Sequence, residues 1–89
     1  MTHDSIEIAY QKFISKLGEL FNSQDPETKL RKLIVMEYSL NPECIEYDYE
    51  DVVDLVLQRV AMQYSDPELW ILWEEYKEIM YQFAYDEAA

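Results

Sequence analysis

The sequence predicts an all-α fold: a small antiparallel bundle of four main helices, with a short helical turn between the second and third. Three observations carry this. Apolar residues recur at three- and four-residue steps along most of the chain. The chain holds only one Gly in 89 residues. All three Pro stand in one context, Asp25-Pro26-Glu27, Asn41-Pro42-Glu43 and Asp66-Pro67-Glu68. That context marks a helix start: Asp or Asn caps free amides, Pro takes the first position, and Glu meets the positive end of the dipole.

The first helix is expected to start after Asp4, with Glu7 completing a capping-box pattern. Its apolar face is Ile6, Tyr10, Phe13, Leu17, Leu20 and Phe21. Gly18 falls off that face and reads as a small local weakening. The second helix starts at Pro26, presents Leu30, Leu33, Ile34 and Tyr38, and stops before Pro42. Val35, Met36 and Leu40 widen its stripe, so this helix is expected to be covered on two sides.

A helical turn over Pro42 to Ile45 follows. Tyr47-Asp48-Tyr49-Glu50-Asp51 alternates like a strand, but a lone strand has no partner to pair with. Asp48 is therefore read as the cap of the third helix, with Asp51 three residues on. That helix places Val52, Val53, Val56, Leu57, Val60, Ala61 and Tyr64 at helical spacing. Its β-branched residues are weak helix formers, so packing must hold it. The fourth helix starts at Pro67 and has the clearest period: Leu69, Leu72, Trp73, Tyr76, Ile79, Met80 and Phe83. Glu74, Glu75 and Glu78 mark its wet face, with Glu74 and Lys77 a favourable pair. Trp70, Tyr81 and Tyr85 fall beside the stripe.

A chain of this length is expected to form one domain, residues 1–89. It buries only about 60–65% of its unfolded surface, so each aromatic counts. Eight Tyr, three Phe and two Trp give a thin core what it needs and separate the chain from disordered acidic tails. The net charge is −12 and uneven. Residues 1–40 hold five bases against six acids, a net of −1; residues 41–89 hold two against thirteen, a net of −11. Such a field repels nucleic-acid phosphates and anionic membranes, so direct contact with either is not expected. It attracts basic proteins.

The search for chemistry yields little. Cys44 is the one cysteine, which excludes an internal disulfide and fits a reducing compartment; beside Glu43 and Glu46 it reads as a small hydrophobe with a raised pKa. His3 is the one histidine, near the chain start, with no second imidazole to complete a site. Ser5, Ser15, Ser23, Ser39 and Ser65 lack an activating base. There is no glycine-rich phosphate loop and no Glu-x-x-His pair for a di-iron bundle. Glu46, Asp48 and Glu50 alternate like calcium ligands, but the sixth and twelfth positions are Asp51 and Leu57 where such a loop needs Gly and Glu. No catalytic residue, metal or cofactor is expected. Without a basic leader or a long apolar run, the expected location is the cytoplasm.

The functional expectation rests on Glu43, Glu46, Tyr47, Asp48, Tyr49, Glu50, Asp51 and Asp54, with Trp70, Tyr81 and Tyr85. Carboxylates along a rigid face imitate a row of phosphates, and Tyr adds rigid contact area with a polar tip. The expected partner is a basic protein or complex: a nuclease, a defence complex or a DNA-binding protein that the domain inhibits as a nucleic-acid mimic. In size, acidity and a tyrosine-bearing segment between helices, the chain is similar in kind to the acidic four-helix immunity proteins that block bacterial nuclease toxins. No motif of that family aligns residue by residue, so no residue role is carried over. The competing expectation is a small structural or regulatory adaptor, either a homodimer or part of a larger assembly, with the off-stripe aromatics as its interface. In the bland reading, Tyr47 or Tyr49 packs over the core and the acidity serves only solubility.

Overall fold

The computed structural model describes residues 3–88, with the side chains of residues 4–85. Among them are four α-helices, α1 (His3–Phe21), α2 (Pro26–Leu40), α3 (Tyr49–Gln63) and α4 (Pro67–Ala88), with a 3-10 turn, Pro42–Glu46, between α2 and α3. The three Asx-Pro-Glu contexts thus open α2, the turn and α4.

The caps differ in how they work. Asp25 Oδ1 accepts from the Thr28 amide at 3.3 Å and Oδ2 from the Thr28 hydroxyl at 2.6 Å, which holds the Asp25 carboxyl below its ordinary range. Asp66 Oδ1 accepts from the Glu68 amide at 3.1 Å. Asp48 holds the cap position of α3, but its side chain makes no capping bond. Its backbone carbonyl closes the first turn instead, accepting from Asp51 and Val52. At α1 the expectation of a start after Asp4 is corrected: the helix already runs at His3, so Asp4 lies in its first turn and complements the dipole rather than capping. The His3 side chain lies outside the described residues.

Two helices end alike. Asn22 (φ 51°) and Ser65 (φ 53°) adopt the left-handed conformation. Ser23 N bonds Gly18 O at 3.1 Å and Asn22 N bonds Glu19 O; Asp66 N bonds Ala61 O at 2.9 Å and Ser65 N bonds Met62 O. This is the paired bonding of a Schellman motif at both ends. It also corrects the reading of Gly18. A Cβ there would lie 3.3 Å from Ser23 O and 3.6 Å from Pro26 Cγ, so its bareness lets the α1–α2 link fold back tightly.

The pairing of α1 with α4 is the most extensive in the molecule. Tyr10 meets Tyr76 and Phe13 meets Trp73, each at 5.2 Å between ring centres, in antiparallel register. Lys16 continues that register, reaching Asp66 at 3.3 Å and Glu68 at 3.7 Å. α3 also runs antiparallel to α4, with Asp54 against Trp73 and Lys77 and Glu50 against Tyr81. α2 sets Leu30 and Ile34 near the start of α3 and Met36 and Leu40 near its later turns. Between them sit Phe13, Leu17, Val52, Leu57 and Leu69, all fully buried, each worth roughly 1.5–3 kcal/mol of transfer free energy. Tyr10, mid-way along α1, donates to Glu27 in the first turn of α2 at 2.7 Å. α2 therefore leaves α1 at an angle instead of running straight back along it.

That placement corrects the expectation for α2. It packs on α1, α3 and the 3-10 turn, which bury Ile34 and Glu37. Val35, Met36 and Leu40 remain 64%, 53% and 71% exposed, so the second side is uncovered.

Candidate functional site

Cys44 organises the acidic segment. It is buried, its amide bonds the Asn41 carbonyl and its carbonyl accepts from Tyr47, so the 3-10 turn is pinned from inside. Burial, with Glu37 and Glu43 nearby, pushes its thiol pKa up. With one residue of so short a turn anchored inward, its neighbours turn out. Glu43, Ile45, Glu46, Tyr47, Asp48, Tyr49 and Asp51 are all exposed. Tyr47 is 60% and Tyr49 61% exposed, so neither is packed away as the bland reading supposed.

The other two carboxylates of the segment turn towards α4. Glu50 accepts from the Tyr81 hydroxyl, and this bond raises the Tyr81 pKa. Asp54 accepts from Trp73 Nε1 at 2.6 Å and from Lys77 Nζ at 2.9 Å. Lys77 is buried, lies 3.4 Å from Glu74, and has its ammonium over the Trp70 and Trp73 rings at 5.5 and 5.6 Å. Burial by itself lowers its pKa, but the bond to Asp54 and the nearby charges outweigh it, so the net shift is upward. Asp54 is thus an internal counter-ion.

The residues singled out from the sequence therefore divide. Glu43, Glu46, Tyr47, Asp48, Tyr49 and Asp51 are all exposed, along the 3-10 turn and the start of α3. Glu50 ties Tyr81, itself half exposed, to that end of the molecule, and Tyr85, 77% exposed, follows one turn on. Trp70 stands apart, about 16 Å back along α4. It is half-buried at the opposite end, beside Ala61, Met62 and Pro67.

Sequence reasoning missed three features. Ile45, 81% exposed, adds an apolar contact to the acidic face. Glu37 is buried, with Arg59 and Asn41 as its partners across to α3 and at the end of α2. The angle of α2 opens a cleft of about 340 Å³ lined by Tyr10, Leu30, Tyr49, Trp73 and Tyr76. Burial and the bond to Glu27 raise the Tyr10 pKa there. An apolar residue between acids, and an acid or a lone base on an apolar stripe, were the available signals for the first two.

Among the described residues, no group of three or more His, Cys, Asp or Glu is placed to hold a metal ion, and no helix is long and apolar enough to cross a membrane. The chain matches no protein-family model, no curated protein and no solved structure, so its likeness in kind to the immunity proteins rests on size, charge and the segment between the helices.

Proposed function

We propose that the protein is a non-enzymatic acidic binding domain that occupies the basic surface of a nucleic-acid-handling protein. The supporting observation is the exposed face Glu43, Ile45, Glu46, Tyr47, Asp48, Tyr49 and Asp51, where four carboxylates surround two outward tyrosines on a turn anchored by Cys44. The carboxylates steer a cationic groove towards this end, and the tyrosines supply desolvated contact once it docks. A domain with this face inhibits by occupying the groove where phosphates would lie.

The test uses the intact protein as bait in a bacterial lysate, beside a variant carrying Glu43→Gln, Glu46→Gln, Asp48→Asn and Asp51→Asn. The expected result is retention of a basic nucleic-acid-binding protein by the parent at about 50 mM salt, with loss at about 500 mM or in the variant. Equal retention by both proteins overturns the proposal.

A second reading, a structural or regulatory subunit, is favoured by a different observation: the uncovered apolar side of α2.

A further inference from the structure

We infer that the uncovered side of α2 is a self-association surface, on which two copies pair through antiparallel α2 helices about a two-fold axis near Met36. The inference takes up the second reading above and shares only Glu43 with the acidic face.

The helical period places Lys29, Lys32, Leu33, Met36 and Leu40 on one stripe of α2. Met36 and Leu40 are 53% and 71% exposed there. Along its flank runs a groove of about 180 Å³ between α2 and α3, with Leu33, Met36, Leu40, Val56 and Val60 as its apolar lining and Glu37, Arg59 and Gln63 as its polar lining. A groove of that size takes one aliphatic side chain. A second α2 laid antiparallel supplies one, because its own Met36 or Leu40 comes opposite.

Charge selects the occupant. By sequence α2 carries three bases, Lys29, Arg31 and Lys32, against two acids, Glu27 and Glu37, a net of +1. α1 carries −1, α3 −2 and α4 −5, so α2 is the one of the four helices with a net positive charge, and a contact through it sets less like charge together than one through α4. The stripe is also polar along its length. Lys29 and Lys32 stand at its start, and Glu43 stands past its end in the 3-10 turn. An antiparallel pair centred on Met36 sets position 29 of each copy towards position 43 of the other and Lys32 opposite Leu40. The lysines therefore lie at the end where the partner's 3-10 turn and Glu43 begin, and an isologous interface makes that contact twice. Lys29 rests over its own Phe21 ring at 4.8 Å, which leaves Lys32 as the freer cation. A parallel pair would set lysines against lysines and Glu43 against Glu43.

Fifteen-residue helices overlap over about 22 Å. That is a small interface, so the dimer should form near 100 µM and dissociate near 1 µM, on the order expected for weak contacts. Light scattering with size exclusion over that range measures it. The parent should double in mass at the upper concentration. Met36→Asp with Leu40→Asp should stay monomeric, with an unchanged far-ultraviolet spectrum because both positions are exposed. Lys29→Glu with Lys32→Glu should weaken the dimer at least tenfold, Glu43→Lys likewise, and all three together should restore it. A parent monomeric throughout overturns the inference, as does a dimer indifferent to Met36→Asp with Leu40→Asp, or a charge-reversed triple variant that stays weak. A monomer that still captures a basic protein leaves the acidic site standing.

Discussion

Lys77 Nζ lies 2.9 Å from Asp54 Oδ1, and this part-buried pair fixes α4 against α3. The same oxygen accepts from Trp73 Nε1, so Asp54 satisfies two donors at once. Removing it by Asp54→Ala leaves a buried indole N–H without its acceptor and a buried ammonium with Glu74, at 3.4 Å, as its remaining counter-ion. The expected loss is about 2–3 kcal/mol, below the figure for a fully enclosed pair because Asp54 keeps some contact with water. Adding Lys77→Met should recover part of it. Urea midpoints at constant m for both singles and the double give the coupling.

Neither partner was legible as one of a pair. They lie 23 residues apart, and charge patterning within a helix reveals only neighbours three or four positions away. Glu74–Lys77 was legible for that reason. The helix starts at Pro26, Pro42 and Pro67 were legible too, because capping chemistry is local. Gly18 was misread because its crowding comes from Ser23 and Pro26, which only the folded link brings close. The exposed side of α2 was hidden for a related reason. Spacing shows how wide an apolar stripe is, while the number of helices available to cover it is a property of the assembly.

Leu57 is fully buried, and Leu57→Ala should cost about 3–4 kcal/mol, a large share of the stability of a small domain. Ile45→Ala, at a site 81% exposed, should change stability by less than about 0.5 kcal/mol. Thermal unfolding of the two variants separates core from surface directly.

Ser65 carries a Cβ at φ 53°. Ser65→Gly keeps the bonds of the α3 end and removes the steric cost, so it should raise stability by about 0.5–1 kcal/mol. Asn22→Gly should gain less, since Asn tolerates this conformation better than Ser. Both gains are read from denaturant midpoints.

The hydroxyls of Tyr10 and Tyr81 have pKa values raised above the ordinary 10.0, Tyr10 by burial and its bond to Glu27, Tyr81 by its bond to Glu50. A folded-state value above the unfolded one means that the stabilising contribution is complete below about pH 10 and is lost as pH climbs through the folded value. Lys77, also raised, acts in the same direction. Stability should therefore fall from about pH 10 upward. Tyrosinate absorbance should show a late component that Tyr10→Phe and Tyr81→Phe each diminish.

Self-repulsion from a net charge of −12 weakens the fold at low ionic strength. Raising salt from about 10 mM to about 300 mM should raise the melting temperature by several degrees through screening. The Glu43→Gln, Glu46→Gln, Asp48→Asn and Asp51→Asn variant should start higher and respond less.

The pairing of α1 with α4 has a consequence during synthesis. α1 finds its main partner in α4, so Phe13 and Leu17 have no cover from Trp73 and Leu69 while α2 and α3 are being translated. Local contacts between α2 and α3 are free to form earlier, but the long-range closure that completes the core waits until α4 has been made. A nascent chain stalled before Pro67 would expose a sticky amphipathic helix to the holding chaperones of the cell, and full release from them would coincide with the emergence of α4.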